Sequence, residues 1–281
     1  MKNKLGGLYI FIAASLFSLG GVCSKFNGWS GMTLNGARCF LSLIPIGLYL
    51  IITKHKLRFN LKNIFGGVCL CVTALLCMIA NKTTTAANAI ILQYIAPVYV
   101  ILYRRVFKKI RSGLTDILTC AVVLIGLVVF LSDSLSVGGM FGNIMAVLSG
   151  IAYATFCILG GDGDTDNMTM ILVGFSLGAI IGMPFMAFET DFSLISVGTA
   201  LILGFFQMGL AYILFGIGLE RTGAVTTSLI STVEPILNPI LVALLYKEMM
   251  GTAAIIGAAI VIAAILAYNI ITGRKKEPKK A

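Results

Sequence analysis

The stretch AVTTSLISTVEPILNPILVALLY, residues 224–246, decides the fold of this chain. It is long enough to cross the hydrocarbon of a bilayer, which takes ~20 apolar residues in a helix. It carries one charged side chain, Glu234, and is otherwise apolar or weakly polar. A run of this kind favours a membrane-spanning helix with a single acidic group near its middle.

Nine further apolar runs accompany this stretch, and short clusters of charged, Gly and Asn residues separate them. The runs are too long, and too free of alternation between apolar and polar residues, for the strands of a membrane barrel. We therefore predict an all-α integral membrane protein with ten transmembrane helices, near residues 5–24, 30–53, 63–81, 84–103, 113–132, 138–160, 167–188, 195–218, 224–246 and 251–272.

The composition supports this class. The chain has 281 residues, 58% of them hydrophobic and only 11% charged, with a mean hydropathy of +1.00. A soluble domain has about a quarter of its residues charged. The seven cysteines all lie inside apolar runs, where they are typical of small apolar side chains, and their spacing predicts no metal site.

The positions of the basic residues predict the orientation of the chain, because cytoplasmic loops are enriched in Lys and Arg. With a cytoplasmic N-terminus, 17 of the 21 basic residues lie on the cytoplasmic side, three (Lys25, Lys82 and Lys247) lie outside, and Arg38 lies within the second run. Both termini are then cytoplasmic, and residues 273–281 form a basic tail. The net charge of +10 is explained by orientation and by anionic lipids, so we expect no nucleic-acid partner.

The two halves of the chain resemble each other. A shift of 138 positions places Ala96-Pro97 on Glu234-Pro235, and a shift of 136 places Gly6 and Phe17 on Gly142 and Tyr153. Each half holds five runs, an odd number, so the second half enters the membrane from the opposite face. We predict two inverted-topology five-helix repeats, residues 1–132 and 138–272, a plan that many secondary transporters use.

Glu234 is the first candidate for a functional group, because an acid within a span costs several kcal/mol unless it is paired, hydrated or protonated. On a continuous helix, Thr227, Ser231, Glu234 and Asn238 form one narrow polar stripe. Pro235 and Pro239 remove backbone donors beside the stripe, as in the broken helices of transporters. The alternative is that Glu234 is a protonated structural link between helices.

Other polar and aromatic residues within spans are candidates for the same site. Facing groups for substrate binding or coupling are predicted at Gln93, Tyr94, Asn88, Tyr153 and Gln207, with Phe17 and Tyr153 as opposing aromatic walls. Arg38 either pairs with a substrate carboxylate or a gate, or extends to the headgroups or a structural partner. Ordinary hydrogen bonds between helices are the alternative for the polar groups.

Two segments are typical of loops. His55, the sole histidine, lies among lysines and is expected to be a solvated loop residue. Asp162, Asp164 and Asp166 alternate as in a calcium loop but lack the glutamate that such a loop requires six residues later. A solvated loop is the simpler interpretation.

Two motifs carry a family resemblance. The segments Val233-Glu234-Pro235-Ile236, Leu245-Tyr246-Lys247-Glu248 and Ile256-Gly257-Ala258-Ala259 resemble the C-terminal signature of the EamA family of the drug/metabolite transporter superfamily. Gly36-Ala37-Arg38-Cys39-Phe40-Leu41 resembles that family's arginine motif, with Cys39 interrupting the usual Arg-Phe pair. The resemblance implies a ten-span, two-repeat fold and a transport role, with export the commoner direction, but no particular substrate.

We therefore predict a secondary active transporter of small polar organic metabolites, amino-acid-like or cationic, working by alternating access and either proton-coupled or facilitated. A channel or facilitator is the alternative, and a membrane enzyme is disfavoured because the sole histidine is in a loop. A pump subunit is disfavoured because no nucleotide-binding P-loop occurs. We expect no cofactor, an inner or plasma membrane location, and a monomer or homodimer.

Overall fold

The computed structural model of the chain describes residues 2–84, 89, 92–106, 109, 113–130, 132, 139–246 and 251–274, and every regular element among them is helical. The α-helices are α1 (Lys2–Phe17), α2 (Leu19–Phe26), α3 (Gly31–Thr53), α4 (Leu61–Thr83), α5 (Ala96–Val106), α6 (Leu114–Phe130), α7 (Met140–Gly160), α8 (Asn167–Gly182), α9 (Leu194–Ile202), α10 (Ala211–Thr222), α11 (Ala224–Ser231), α12 (Glu234–Tyr246) and α13 (Thr252–Arg274). A 3₁₀ segment (Met183–Phe188) continues α8, and a π-helical segment (Leu203–Leu210) joins α9 to α10.

Among the residues that the structure describes, six helical stretches are long and apolar enough to cross a membrane. They are Leu5–Ser24, Gly31–Thr53, Leu61–Ala80, Met140–Gly160, Asn167–Phe188 and Leu194–Thr222, and Leu114–Phe130 and Thr252–Tyr268 are shorter apolar helices. Large apolar side chains such as Leu48, Ile180 and Leu244 are more than half exposed, as side chains facing lipid are. The all-helical membrane fold is thus confirmed, and the count of ten spans and the inverted repeats stay predictions.

The helices on either side of two prolines are interrupted at corresponding places. Turns at residues 94–95 and 232–233 precede Ala96-Pro97 and Glu234-Pro235. In each turn the same backbone bond starts the next helix: Val98 N donates to Ile95 O at 2.8 Å, and Ile236 N donates to Val233 O at 3.2 Å. Proline is tolerated at this point because the first turn of a helix needs no backbone donor.

Close glycine contacts hold helices α3 and α8 together. A Cβ atom on Gly36 would collide with the backbone of Gly182, and one on Gly178 would lie 2.8 Å from Cys39 Sγ. Small residues four positions apart, such as Gly178 and Gly182, let membrane helices approach each other closely. Gly126 and Gly257 make a similar contact between α6 and α13.

The packing partners correspond when the two halves of the chain are exchanged. Helix α1 packs on α10 as α7 packs on α4, and α3 packs on the π-helical segment as α8 packs on α4. The pairs α3–α8 and α6–α13 each map onto themselves. None of the seven cysteines forms a disulfide; six are buried in this packing and Cys77 is partly exposed.

His55 lies in a loop, as predicted, whereas the prediction of a solvated Asp166 needs correction. His55 is partly exposed, but its Nε2 lies 2.8 Å from Asp166 Oδ1 and forms an ion pair when the imidazole is protonated. Asp166 is buried rather than solvated, because it caps the N-terminus of α8, where its side chain accepts a hydrogen bond from Met168 N.

Candidate functional site

Glu234 lies where two interrupted helices meet. Tyr94 Oη donates a hydrogen bond of 2.5 Å to Glu234 Oε2. Tyr94 belongs to the turn before α5, and Glu234 is the first residue of α12. Both residues are partly exposed, and the Tyr94 bond occupies one oxygen of the carboxylate.

The break in residues 224–246 differs from the predicted continuous stripe. Helix α11 ends at Ser231 and α12 begins at Glu234, so the polar residues fall on two short helices. The break places the carboxylate at the N-terminus of α12, where unpaired N–H groups and the helix dipole favour a negative charge. Pro235 explains why the helix breaks before Glu234, because proline cannot continue the backbone hydrogen bonds of a helix. The prolines indicated this break, but the polar stripe was predicted for a continuous helix.

Arg38 is held near the site without touching Glu234. Its Nη2 and Nε atoms donate to Asn35 Oδ1 at 2.8 and 3.2 Å. The guanidinium lies within electrostatic range of the Glu234 carboxylate, yet in the described part of the chain it forms no ion pair within 4 Å. Asn35 was not predicted, although a polar residue three positions before Arg38 on a helix is a natural partner.

Ser231 and Thr227 belong to a second, buried set of hydrogen bonds. Tyr153 Oη donates to Ser231 Oγ at 3.0 Å, and Ser231 Oγ donates to Thr227 O at 2.9 Å. The Thr227 hydroxyl lies 2.9 Å from that of Thr222. Ser231 and Thr227 are buried, whereas Asn238 on α12 is partly exposed like Glu234.

The remaining predicted polar residues lie apart from these bonds. Gln93 Oε1 accepts a hydrogen bond of 3.1 Å from Cys77 Sγ, a partner that the sequence did not reveal. Gln207 is buried in the π-helical segment, and its Oε1 has no partner among the residues the structure describes. Asn88 lies outside the described residues.

The aromatic prediction for Phe17 and Tyr153 involves a third ring. Both rings contact Phe215 in tilted arrangements, with centroids 5.9 and 6.2 Å from it. Tyr212 lies 4.7 Å from Phe17 and within electrostatic range of Glu234 and Arg38. Tyr212 and Phe215 were not predicted, because an aromatic residue in an apolar run gives no signal of which helix it faces.

These features define a class: a multi-pass helical membrane protein with a charged centre between two interrupted helices. The model of the EamA-like transporter family matches residues 4–132 and again residues 140–270. The chain belongs to the EamA-like transporter family, as its motifs suggested, and is a membrane transporter.

Two curated relatives agree with this class. The chain is 25% identical to an uncharacterized inner membrane transporter, YicL, of Salmonella typhimurium, over 93% of this chain and 96% of that protein. It is 24% identical to an uncharacterized transporter of Archaeoglobus fulgidus, over 66% of this chain and 68% of the relative. A protein of known crystal structure shares the fold, with a TM-score of 0.81, 17% identity, and coverage of 96% of this chain and 99% of that one.

Proposed function

We propose that the protein is a secondary active transporter of small polar organic metabolites, amino-acid-like or cationic. It works by alternating access between two inverted five-helix repeats, residues 1–132 and 138–272. The observation that carries the proposal is the Tyr94–Glu234 hydrogen bond, which joins the two interrupted helices at a partly exposed glutamate. Discontinuous helices in corresponding positions of two halves are the best pointer to a transporter's binding site.

Three findings support the inverted repeats. The same family model matches each half of the chain. The helix contacts correspond when the halves are exchanged, and both interruptions precede a proline at equivalent positions. Five spans in each half then require opposite orientations, and corresponding movements within the two repeats expose the site to each face in turn.

The charges at the site favour a substrate with a cationic group. Glu234 offers an ammonium group the oxygen that Tyr94 does not occupy, and Arg38 offers guanidinium N–H groups that Asn35 does not occupy. A zwitterion of amino-acid type would satisfy both, with its carboxylate toward Arg38. The rings of Tyr153 and Tyr212, both partly exposed, add apolar surface for the rest of the substrate.

Glu234 is also the candidate for proton coupling. An ionised acid in a membrane is costly because it is desolvated, so binding of a proton or of a cationic substrate stabilises it. Both bind to the same oxygen atoms and therefore compete. That competition is the simplest form of exchange between a proton and a substrate. We expect export, because that is the commoner direction in the family that the chain resembles.

The test begins with a thermal-shift screen of a metabolite library in detergent, since a ligand that binds the folded state raises its stability. Hits are then assayed in proteoliposomes for counterflow, the uptake of labelled substrate driven by unlabelled substrate inside. Saturable counterflow supports the transporter. Flux that neither saturates nor shows counterflow would instead support the channel alternative, and protein-free liposomes are the control.

A further inference from the structure

A set of polar contacts ties the segment before α3 to the segment after α8. Asn27 Nδ2 donates to Ser196 O at 2.7 Å and to Thr199 Oγ1 at 2.9 Å. Trp29 Nε1 donates to Asp191 O at 2.5 Å, and Ser30 N donates to Glu189 Oε1 at 2.8 Å. We call residues 27–30 and 189–199 with these bonds the first clamp.

A second set of contacts ties the segment after α3 to the start of α8. It comprises the His55–Asp166 pair at 2.8 Å, the bond from Arg58 N to Thr169 Oγ1 at 2.9 Å, and the bond from Asp166 N to Asn63 Oδ1 at 3.0 Å. Asp166 also accepts a bond from the Thr169 hydroxyl. We call residues 55–63 and 166–169 with these bonds the second clamp.

The two clamps hold the same pair of helices at opposite ends. Helix α3 begins one residue after Ser30 and ends two residues before His55. Helix α8 begins one residue after Asp166, and its 3₁₀ extension ends one residue before Glu189. Between the clamps, Gly36 and Gly182 bring the two backbones into direct contact, so the pair is fastened at both ends and close-packed in between.

Exchange of the two halves converts one clamp into the other. The linker that precedes α3 corresponds to the linker that precedes α8, and the linker that follows α8 corresponds to the one that follows α3. Both clamps are formed in the same structure. If the clamps were the gates, a state open to one face would have one of them broken, whereas here both are closed together.

Unlike the fastened pair α3 and α8, the helices interrupted at residues 94–95 and 232–233 contain a point at which they can bend. At residues 94–95 and 232–233 a turn replaces the regular helix, just before a proline that cannot donate a backbone hydrogen bond. A few residues at the end of an element that absorb changes in backbone angles are typical hinges.

We propose that α3 and α8 form a static rib that stays closed throughout the transport cycle, and that the motion of alternating access is confined to the helices interrupted at residues 94–95 and 232–233. The inference rests on the proposed function, because it assigns parts to a cycle of alternating access. It goes further by naming the part of the molecule that does not move.

Disulfide locking of the first clamp tests the rib. The double variant Asn27→Cys/Thr199→Cys should form a disulfide on mild oxidation, since the native side chains touch, and each single variant is the matched control. We expect counterflow in the oxidised double variant within about twofold of its rate after reduction. Arg58→Cys/Thr169→Cys applies the same test to the second clamp.

The outcomes separate the rib from the transporter proposal. Loss of counterflow on oxidation with recovery on reduction would show that the clamp is a gate and overturn the rib. Failure of the disulfide to form in folded protein would contradict the clamp itself. Absence of counterflow in the reduced protein and in the wild type would instead contradict the proposed function.

Distance measurements provide a second readout that does not depend on flux. Spin labels at the exposed positions Leu48 on α3 and Ile180 on α8 should give one distance that substrate and pH leave unchanged. Labels at Leu48 and at Leu102 on α5, also exposed, should give a distance that changes with substrate. A change in the Leu48–Ile180 distance would overturn the rib.

Discussion

Tyr94 donates a hydrogen bond of 2.5 Å to the carboxylate of Glu234, although the two residues lie 140 positions apart in the chain. Each belongs to the interruption of a helix, and the two interruptions correspond between the halves of the sequence. The bond therefore connects the two halves of the chain at the interruption of each helix.

Glu234→Gln should separate the two roles proposed for the carboxylate. If Glu234 carries the coupling proton, the variant should keep counterflow at equal pH but lose accumulation driven by a pH gradient. If Glu234 pairs with a cationic substrate, the variant should bind at least about tenfold more weakly, the lower end of losing a hydrogen bond to a charged group.

Glu220→Gln is the control for this change, because Glu220 is exposed at the end of α10. Its counterflow and accumulation should match the wild type. A Glu234→Gln protein that binds, exchanges and accumulates substrate normally would contradict both roles and leave the structural link as the explanation.

Tyr94→Phe removes the donor to Glu234 and keeps the ring. A hydrogen bond to a charged group contributes ~1.5–3 kcal/mol, so we expect substrate affinity to fall by about ten- to a hundredfold when the bound state needs the ionised carboxylate. The measurement is the concentration dependence of counterflow. Tyr99→Phe, five residues further along in helix α5, should stay within about twofold, and equal effects of the two variants would contradict a specific role for the Tyr94 hydroxyl.

Gly36→Ala should disrupt the contact between α3 and α8, because the new methyl group would meet the backbone of Gly182 and Met183. Overpacking of a close contact typically costs ~1–3 kcal/mol, and the apparent melting temperature in detergent should fall accordingly. Gly47→Ala, on the same helix with nothing within 4 Å of the new methyl group, should leave it unchanged or raise it, since Ala favours helix over Gly. A melting temperature that falls more in Gly47→Ala than in Gly36→Ala would contradict the contact.

Acidification should weaken the first clamp. Bonds from the Thr33 side chain and from Ser30 hold the pKa of Glu189 below its ordinary value, and bonds from Ser196 and Ser193 do the same for the pKa of Asp191. A carboxyl group with a lowered pKa stabilises the fold above its unfolded-state pKa, and the stabilisation is lost as the pH falls through the folded-state value. The melting temperature should therefore drop below about pH 4, where Asp and Glu titrate.

The double variant Glu189→Gln/Asp191→Asn is the matched control for this pH effect. Its side chains do not titrate, so its melting temperature should depend less on pH in the same acid range. Identical pH profiles for the variant and the wild type would show that these carboxylates do not couple to folding.

The orientation of the chain can be tested by labelling single cysteines on intact cells. The distribution of basic residues predicts that cysteines replacing Lys82 and Lys247 react with an impermeant maleimide and that cysteines replacing Lys108 and Lys276 do not. Labelling after permeabilisation is the control for intrinsic reactivity. Reaction at position 108 from outside would require a different register of the spans.

The sequence predicted the helical membrane class and the segments that hold the helices, because hydropathy depends on composition and on local order along the chain. It also predicted broken backbone near Glu234, since proline cannot continue the bonds of a helix. The pairing of Tyr94 with Glu234 could only be suspected, because it depends on which faces of two distant helices meet.

The clamps escaped prediction for the same reason. His55 is surrounded by lysines in the chain, and nothing local indicates that Asp166 lies beside it in space. The Arg38–Asn35 contact is different, because Asn35 lies three positions earlier on the same helix and is a local partner that the sequence does offer. Polar contacts between loops leave no periodic pattern in a single sequence.

The two short helices α11 and α12 also affect how the protein is made. They contain eight and 13 residues, so neither alone reaches the ~20 residues that cross a bilayer. An acidic residue at the centre of a segment adds ~2.5–3.5 kcal/mol to the cost of insertion. Tyr94 and Tyr153 leave the ribosome before Glu234, so the membrane already holds partners for the carboxylate and for Ser231 when this segment arrives. Its insertion thus depends on helices synthesised earlier, and truncation of those helices should release residues 224–246 to the quality-control proteases of the membrane.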